Sequence, residues 1–573
     1  MSEPLLNSYN LDNDLQNEEE LVEWKNTFKS TRYSLLKRFI GLIVSVLLLV
    51  LLGMTIALFL TPLKTVEEPT EEFNNNNNSN NNNDTINQPK LRNVIMMISD
   101  GLGPASVSFA RTYHQYINNL PYDFEMPLDT IHIGQSRTRS SSTLVTDSAA
   151  GATAFSCGLK TYNGGVGVDP HGKPCGTLLE SAKHHLQMKT GLVATSRITH
   201  ATPASFSAHV VDRDNENAIA TQQMGENPLG VSVDLMFGGG YCHFLPKSVH
   251  QSCRRDERHL LEEAKQKFNW TTVTHGDRHF WDDIPVDPSL LPIISLFTPD
   301  HMSYEIDREQ SKEPSLTEMS DKALQLLSSA TKDSDTGFFL MIEGSRIDMA
   351  AHSNDPAAHV HEILEYQNTI ALVKNFVDQH PDTIMISTSD HETGGLSLAR
   401  QVSAKYPKYL WYPDVLKNVK RSTAILGTEI LHLNKDDRQK KITEQLGIVD
   451  ITKEEMDTLG KISSKKRMDQ YLAEMISIRS QLGWTTHGHS GVDVNLYAYG
   501  QNLNDLRGSH ENIEIGQFIS EKLGLDLDDV TTRLNRADPS FHLTPLTEKG
   551  KVDYTNHLDQ YHHEASLLHH PAL

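Results

Sequence analysis

The sequence predicts an α/β fold, a large and mostly parallel central sheet flanked by helices on both faces. Short apolar runs that end in an acid or an imidazole recur along the chain, separated by stretches of helical composition, and this alternation is what a parallel sheet covered on both faces requires. Composition agrees. At 573 residues, 38% hydrophobic and 22% charged, the chain supports a large core and is neither disordered overall nor a multi-span membrane protein. Its 52 basic and 74 acidic residues leave a net charge of −22, with no basic run able to neutralise a phosphate backbone, so no nucleic-acid partner is expected.

Before this body the chain carries different material. Phe39–Leu60 is apolar and uncharged, and as a helix rising 1.5 Å per residue it reaches about 33 Å, enough for a hydrocarbon core of roughly 30 Å. It begins too late and lacks the cleavage site of a secretory signal, so it is expected to persist as a single transmembrane anchor. Lys25, Lys29, Arg32, Lys37 and Arg38 precede it, whereas Lys64 stands nearly alone after it. This asymmetry predicts a cytosolic tail at residues 1–38 and a lumenal or extracellular body. Residues 61–92 include an Asn-rich run that reads as a flexible stalk. The sequons at Asn77, Asn83 and Asn269 are glycosylation candidates on the same predicted side of the membrane. Cys157, Cys175, Cys242 and Cys253 lie there too. Two disulfides are expected among them, with four unlinked thiols the alternative.

The body is expected over residues 93–533. Asn93-Val-Ile-Met-Met-Ile-Ser-Asp100 reads as a strand ending in an acid, then the loop Gly101-Leu-Gly103, then a helix from Ala105 to Tyr116. Gly191–Ser196 reads as a strand before the polar turn Arg197–Pro203. Phe338–Ile342 is a strand running into Glu343 and Asp348; His359–His380 supplies a helix, and Thr383–Asp390 another strand, followed by His391. In such sheets ligands bind beyond the carboxyl ends of the strands, where these acids and imidazoles fall. Carboxylates with imidazoles suit zinc, and oxygen donors alone suit magnesium. Asp348 and His352 are four apart, Asp390 and His391 adjacent, and His487 and His489 precede the strand-like Val494–Tyr499.

Thr146-Asp147-Ser148-Ala-Ala-Gly-Ala152 places Asp147 and Ser148 where a helix can begin, with free N–H groups suited to an anion such as phosphate. Ser148 is a potential nucleophile. No G-x-S-x-G elbow surrounds it, so activation by a metal is expected.

Six motifs, in order, resemble those of alkaline phosphatases: Asp100-Gly-Leu-Gly, Thr146-Asp-Ser-Ala-Ala-Gly-Ala-Thr-Ala, His200-Ala-Thr-Pro-Ala-Ser-Phe, Glu343-Gly-Ser-Arg-Ile-Asp348, Asp390-His391-Glu-Thr-Gly-Gly and Thr486-His-Gly-His489-Ser-Gly. The resemblance spans residues 93–521 and is greatest to the membrane-anchored vacuolar alkaline phosphatases of fungi. It implies hydrolysis of phosphate monoesters, over a broad substrate range, through a phosphoserine on Ser148. It implies that Arg213 holds the phosphate, with Asp147 and His200 also at the substrate. Two zinc ions and one magnesium per subunit are implied: Asp348, His352 and His489 for one zinc, Asp100, Asp390 and His391 for the other, and Asp100, Thr202 and Glu343 for magnesium. A homodimer, a vacuole-like compartment and a crown-like insertion at about residues 404–483 follow by the same resemblance. Two positions depart from the family pattern. His200 stands where some members have Asp, and Met349 where His or Lys commonly follows the zinc-binding Asp. Met cannot donate a hydrogen bond, so phosphate affinity and pH optimum are the properties expected to differ. Residues 534–573, with five His between His557 and His570, read as a solvated tail open to processing. A related two-metal phosphodiesterase and a non-catalytic tethered binding protein are the alternatives.

Overall fold

The computed structural model describes residues 90–274, 278–401, 403–406 and 409–543. The expected cytosolic tail, anchor and stalk, Asn77, Asn83 and the chain beyond 543 lie outside them. Among the described residues no helix is long and apolar enough to cross a membrane.

Among the described residues twelve strands are formed: β1 (Asn93–Ile98), β2 (His132–Arg137), β3 (Lys189–Arg197), β4 (Leu235–Gly239), β5 (Thr271–Thr274), β6 (Ile293–Leu296), β7 (Phe338–Glu343), β8 (Thr383–Thr388), β9 (Glu392–Thr393), β10 (His489–Ser490), β11 (Val494–Tyr499) and β12 (Gly508–Glu511). Ten of them make one sheet in the order β12-β2-β11-β8-β1-β7-β3-β4-β6-β5, and β9 pairs with β10. The sheet is mostly parallel, as the strand–helix alternation predicts. The exception is β11, which runs antiparallel to both β2 and β8.

The central strands β1, β7 and β8 are buried along their whole length, which is why they read as continuous apolar runs instead of alternating ones. Their side chains still alternate between faces. In β1, Ile95 and Met97 join one apolar core and Val94, Met96 and Ile98 the other. Helix α1 (Pro104–Ile117) contributes Phe109 to the first core, and α2 (Ser148–Cys157) contributes Phe155 to the second. Three further helices bear on the site: α3 (Ala201–Ser207), α4 (Arg346–His352) and α5 (Pro356–Gln379).

Between β9 and β10 the chain passes through helices at Asp414–Lys417, Thr423–Ile430, Lys435–Leu446, Lys453–Leu459 and Lys465–Ser480. The ends of this excursion are tied by paired backbone hydrogen bonds between Ser397 and Gly483, at 2.8 and 2.9 Å. Its buried Leu426, Ile430, Leu472 and Ile476 belong to the same core as Phe109 and Ile95, so the insertion is packed into the body. Disulfides join Cys157 to Cys175 and Cys242 to Cys253.

Candidate active site

Four adjacent parallel strands, β8, β1, β7 and β3, deliver their carboxyl ends to one edge of the sheet. Asp390 and His391 follow β8, Asp100 follows β1, Glu343 ends β7, and α3 with His200 at its N-cap and Thr202 in its first turn follows β3. Helix α4 begins three residues after Glu343 and carries Asp348 and His352 one turn apart, hence on one face. His489 arrives last, on β10 opposite Thr393.

The chain at Asp100 turns sharply. Gly101 has φ +76°, and a Cβ there would lie 2.7 Å from the Asp348 backbone, so only glycine lets the β1 and α4 segments touch.

The ligand-type side chains converge. His352 Nε2 is 3.3 Å from Asp348 Oδ2 and 3.2 Å from His489 Nε2; His489 Nε2 is 3.7 Å from Asp348 Oδ1. His391 Nε2 is 3.3 Å from Asp390 Oδ2 and 3.5 Å from Asp100 Oδ1. The His391 and His489 rings stack with centroids 3.5 Å apart, so the two sets adjoin. Potential donor atoms fall within 4.8 Å of one another in three groups here: Asp348, His391 and His489; Asp100, Asp390 and His391; and Asp100, His200 and Glu343. The third group places the His200 imidazole beside Asp100 and Glu343 of the expected magnesium set. A fourth group, Cys242, His243 and Cys253, has its two sulfurs engaged in a disulfide.

These groups fit divalent cations. Both Asp100 oxygens, Glu343 Oε1, Asp390 Oδ2, Thr202 Oγ1 and His200 Nδ1 are buried without a hydrogen-bond partner, an arrangement that costs several kcal/mol unless a cation completes it, on the order usual for buried polar groups. Burial, with Asp390, Asp348 and Glu343 nearby, pushes Asp100 well above the usual carboxylate range. Burial likewise raises Asp390 and Glu343 to about 7. Asp348 goes the other way. Against its burial, His352 and His489 hold it well below the ordinary value. Burial lowers His489 to about 4 and His200 to about 3, so both rings are neutral and able to ligate.

Ser148 opens α2, and its hydroxyl lies 3.1 Å from His391 Nε2. Asp147 is the N-cap: its Oδ1 accepts the Ala150 N–H at 3.0 Å. Its Oδ2 accepts from Gly164 N at 3.0 Å and from Arg213 Nη1 at 2.8 Å. Arg213 Nη2 is 3.3 Å from His200 Nε2. Every residue expected at the nucleophile, the phosphate and the three metal sets is therefore brought to this edge of the sheet. Met349 packs against Tyr304, Ala350 and Ala358, and Arg346 Nη1 donates to its sulfur at 3.0 Å.

The sequence reading assigned no part to Thr393, although it lies inside the Asp390-His391-Glu-Thr-Gly-Gly motif. Its hydroxyl touches Asp348 and His391. Nor did it assign Thr146, whose carbonyl accepts from His489 Nδ1 at 2.8 Å and turns Nε2 toward Asp348. A hydroxyl two residues past a candidate ligand was the available signal in the first case; in the second, a backbone carbonyl leaves none.

Among known proteins, the sequence profile of the alkaline phosphatase family matches residues 91–525. The chain is 46% identical over 507 residues to the repressible alkaline phosphatase of Saccharomyces cerevisiae, covering 83% of this chain and 88% of that one. The crystal structure of a cold-active alkaline phosphatase from a psychrophilic Shewanella species superposes with a TM-score of 0.64 at 30% identity, over 75% of this chain and 99% of that one. A TAB5 alkaline phosphatase variant with Mg bound in its M3 site superposes with a TM-score of 0.53 at 26% identity, over 76% and 99%. With the fold, the site and these matches in agreement, the chain belongs to the alkaline phosphatase family, metal-dependent enzymes that hydrolyse phosphate monoesters.

Proposed function

We propose that this enzyme works through a phosphoserine on Ser148, with zinc held by Asp348, His352 and His489, a second zinc by Asp100, Asp390 and His391, and magnesium by Asp100, Thr202 and Glu343 with His200 adjacent. The single observation that carries this reading is the position of the Ser148 hydroxyl, 3.1 Å from His391 Nε2 where the two His-containing sets adjoin. When bound, the metals would supply positive charge that favours an ionised attacking oxygen and stabilises the departing one. The chain's own groups do the rest. Arg213, braced by Asp147, presents its planar fork to two phosphate oxygens. Ser148 Oγ gives up its proton and forms the bond to phosphorus as the ester oxygen departs and is protonated to the alcohol; water then attacks the same phosphorus, the Oγ–P bond breaks to release inorganic phosphate, and Ser148 Oγ regains a proton. Recognition rests on the phosphoryl group, which accounts for a broad substrate range.

The Mg-bound TAB5 variant supports the magnesium assignment by analogy. Two disulfides support an oxidising, secretory-pathway compartment. Together with the apolar run at 39–60 they support a vacuole-like lumen as the site of the catalytic domain. Homodimer formation is part of the same reading. Asn269, exposed in the left-handed cap of the helix Leu260–Phe268, is an accessible acceptor for a glycan.

Two variants test the mechanism. Ser148→Ala should retain near-normal zinc while labelled phosphate is no longer trapped covalently at low pH. Asp348→Ala should lose one zinc and most turnover. Normal trapping in Ser148→Ala would assign the nucleophile to another hydroxyl.

A further inference from the structure

Thr393 sits at the centre of the candidate metal cluster without being one of its ligand-type residues. It is wholly buried. Its backbone N–H donates to Gly101 O at 3.2 Å, next to Asp100, and its Cα is the ladder partner of His489. Its side chain reaches both His-containing sets: Oγ1 lies 2.5 Å from Asp348 Oδ1 and 3.2 Å from His391 Nδ1. A threonine hydroxyl has one proton to give and lone pairs to receive with. A carboxylate that ligates a metal is deprotonated, so Asp348 in its proposed role can only accept. The hydroxyl proton therefore goes to Asp348, and toward His391 the oxygen can only accept. His391 must then carry its proton on Nδ1, which leaves the Nε2 lone pair facing Ser148, Asp390 and Asp100.

We infer that Thr393 is a positioning residue of this enzyme: its single hydroxyl fixes the tautomer of His391 and the orientation of Asp348, and so prepares both zinc sets at once. This rests on the metal assignment proposed above. Residues that hydrogen-bond to metal ligands orient them and raise their affinity, and their loss typically costs about 10- to 100-fold in metal binding. Thr393 differs from an ordinary support in serving a carboxylate of one set and an imidazole of the other through one oxygen. No other side chain is seen to bond His391 Nδ1 among the described residues.

The test compares the wild-type enzyme with Thr393→Val, which keeps the shape and removes the hydroxyl, and Thr393→Ser, which keeps the hydroxyl and removes the methyl. Each is stripped with chelator and titrated with zinc at buffered free concentrations, and bound metal is counted directly. Cobalt(II) substitution gives the visible spectrum of each site as an independent readout, and thermal unfolding of the metal-free proteins checks the fold. Thr393→Val should need about 10- to 100-fold more free zinc for half-occupancy of both sites, with altered cobalt spectra and an unchanged metal-free melting temperature. Thr393→Ser should bind within about threefold of wild type, because the same hydrogen-bond pair survives. Wild-type zinc binding in Thr393→Val would overturn the inference. So would a defect confined to one zinc, or a Thr393→Ser defect as large as that of Thr393→Val, which would assign the effect to methyl packing. Failure of the wild-type chain to take up zinc at all would instead overturn the metal assignment itself.

Discussion

Asp147 braces Arg213: Asp147 Oδ2 accepts the guanidinium Nη1 at 2.8 Å while Oδ1 of the same carboxylate accepts the Ala150 N–H and caps the helix that begins at Ser148. One side chain thus ties the proposed phosphate-binding arginine to the helix that carries the proposed nucleophile.

Asp147→Ala is expected to separate these two tasks. Loss of the cap should cost about 1 kcal/mol of stability, and the buried Gly164 N–H loses its acceptor as well. With Arg213 no longer pre-oriented, inorganic phosphate should inhibit less well, its inhibition constant rising on the order of tenfold, as expected when a charge-assisted contact of 1.5 kcal/mol or so is lost. Inhibition titration and thermal unfolding check the two effects. An unchanged phosphate inhibition constant would show that Arg213 needs no brace.

Gly151 lies in the first turns of α2 with its Cα facing Asp390: an added Cβ would sit 2.9 Å from Asp390 Cβ and 3.2 Å from its carbonyl oxygen. Gly151→Ala, elsewhere a favourable change in a helix, should here cost about 1–3 kcal/mol through overpacking and lower the zinc content of the Asp100, Asp390 and His391 set. Metal analysis beside a melting curve decides it, since a stabilised, fully loaded variant is incompatible with this packing.

Metal uptake should release protons. In the metal-free chain burial holds Asp390 and Glu343 up to about 7 and raises Asp100 well above the usual carboxylate range, so near pH 6 Asp390 and Glu343 are largely protonated and must ionise to bind a cation. Calorimetric titration of stripped enzyme with zinc and magnesium in buffers of different ionisation enthalpy should show net release at pH 6 that shrinks by pH 8. Release that does not change with pH would contradict the crowded, unpaired acids seen here.

Glu362 on α5 predicts a pH dependence of stability away from the metals. Burial, only partly offset by the Glu305 backbone N–H at 2.6 Å and by Arg346, pushes its carboxyl up to about 8. An unfolded glutamate titrates near 4.3, so the folded chain keeps this proton while the unfolded chain gives it up. Its contribution is favourable at low pH and is lost progressively as pH rises from about 4.3 to about 8, then constant above. Glu362→Gln, which keeps the acceptor, should therefore melt like wild type near pH 4 and increasingly above it toward pH 8. A difference independent of pH would mean that Glu362 is ionised throughout.

The sequence by itself determined the chemistry. Strands buried on both faces must be apolar from end to end, so Asn93–Ile98, Phe338–Ile342 and Thr383–Thr388 announce themselves, and any acid just past them falls where a parallel sheet binds its ligand. Asp100, Glu343, Asp348, Asp390 and His391 were legible for that local reason, and Ser148 because a helix start with small residues invites an anion. The order of neighbours was not legible. That β1 lies between β8 and β7, with β3 beyond, is a matter of pairings between segments hundreds of residues apart, and backbone hydrogen bonding is indifferent to sequence. Only that order lets Asp100 face both Asp390 and Glu343, brings His200 into the third cluster, and places His489 across from Thr393. In the inference drawn above the tautomer of His391 is likewise a tertiary property, because the Thr393 hydroxyl on β9 has as its other partner Asp348, which comes from helix α4.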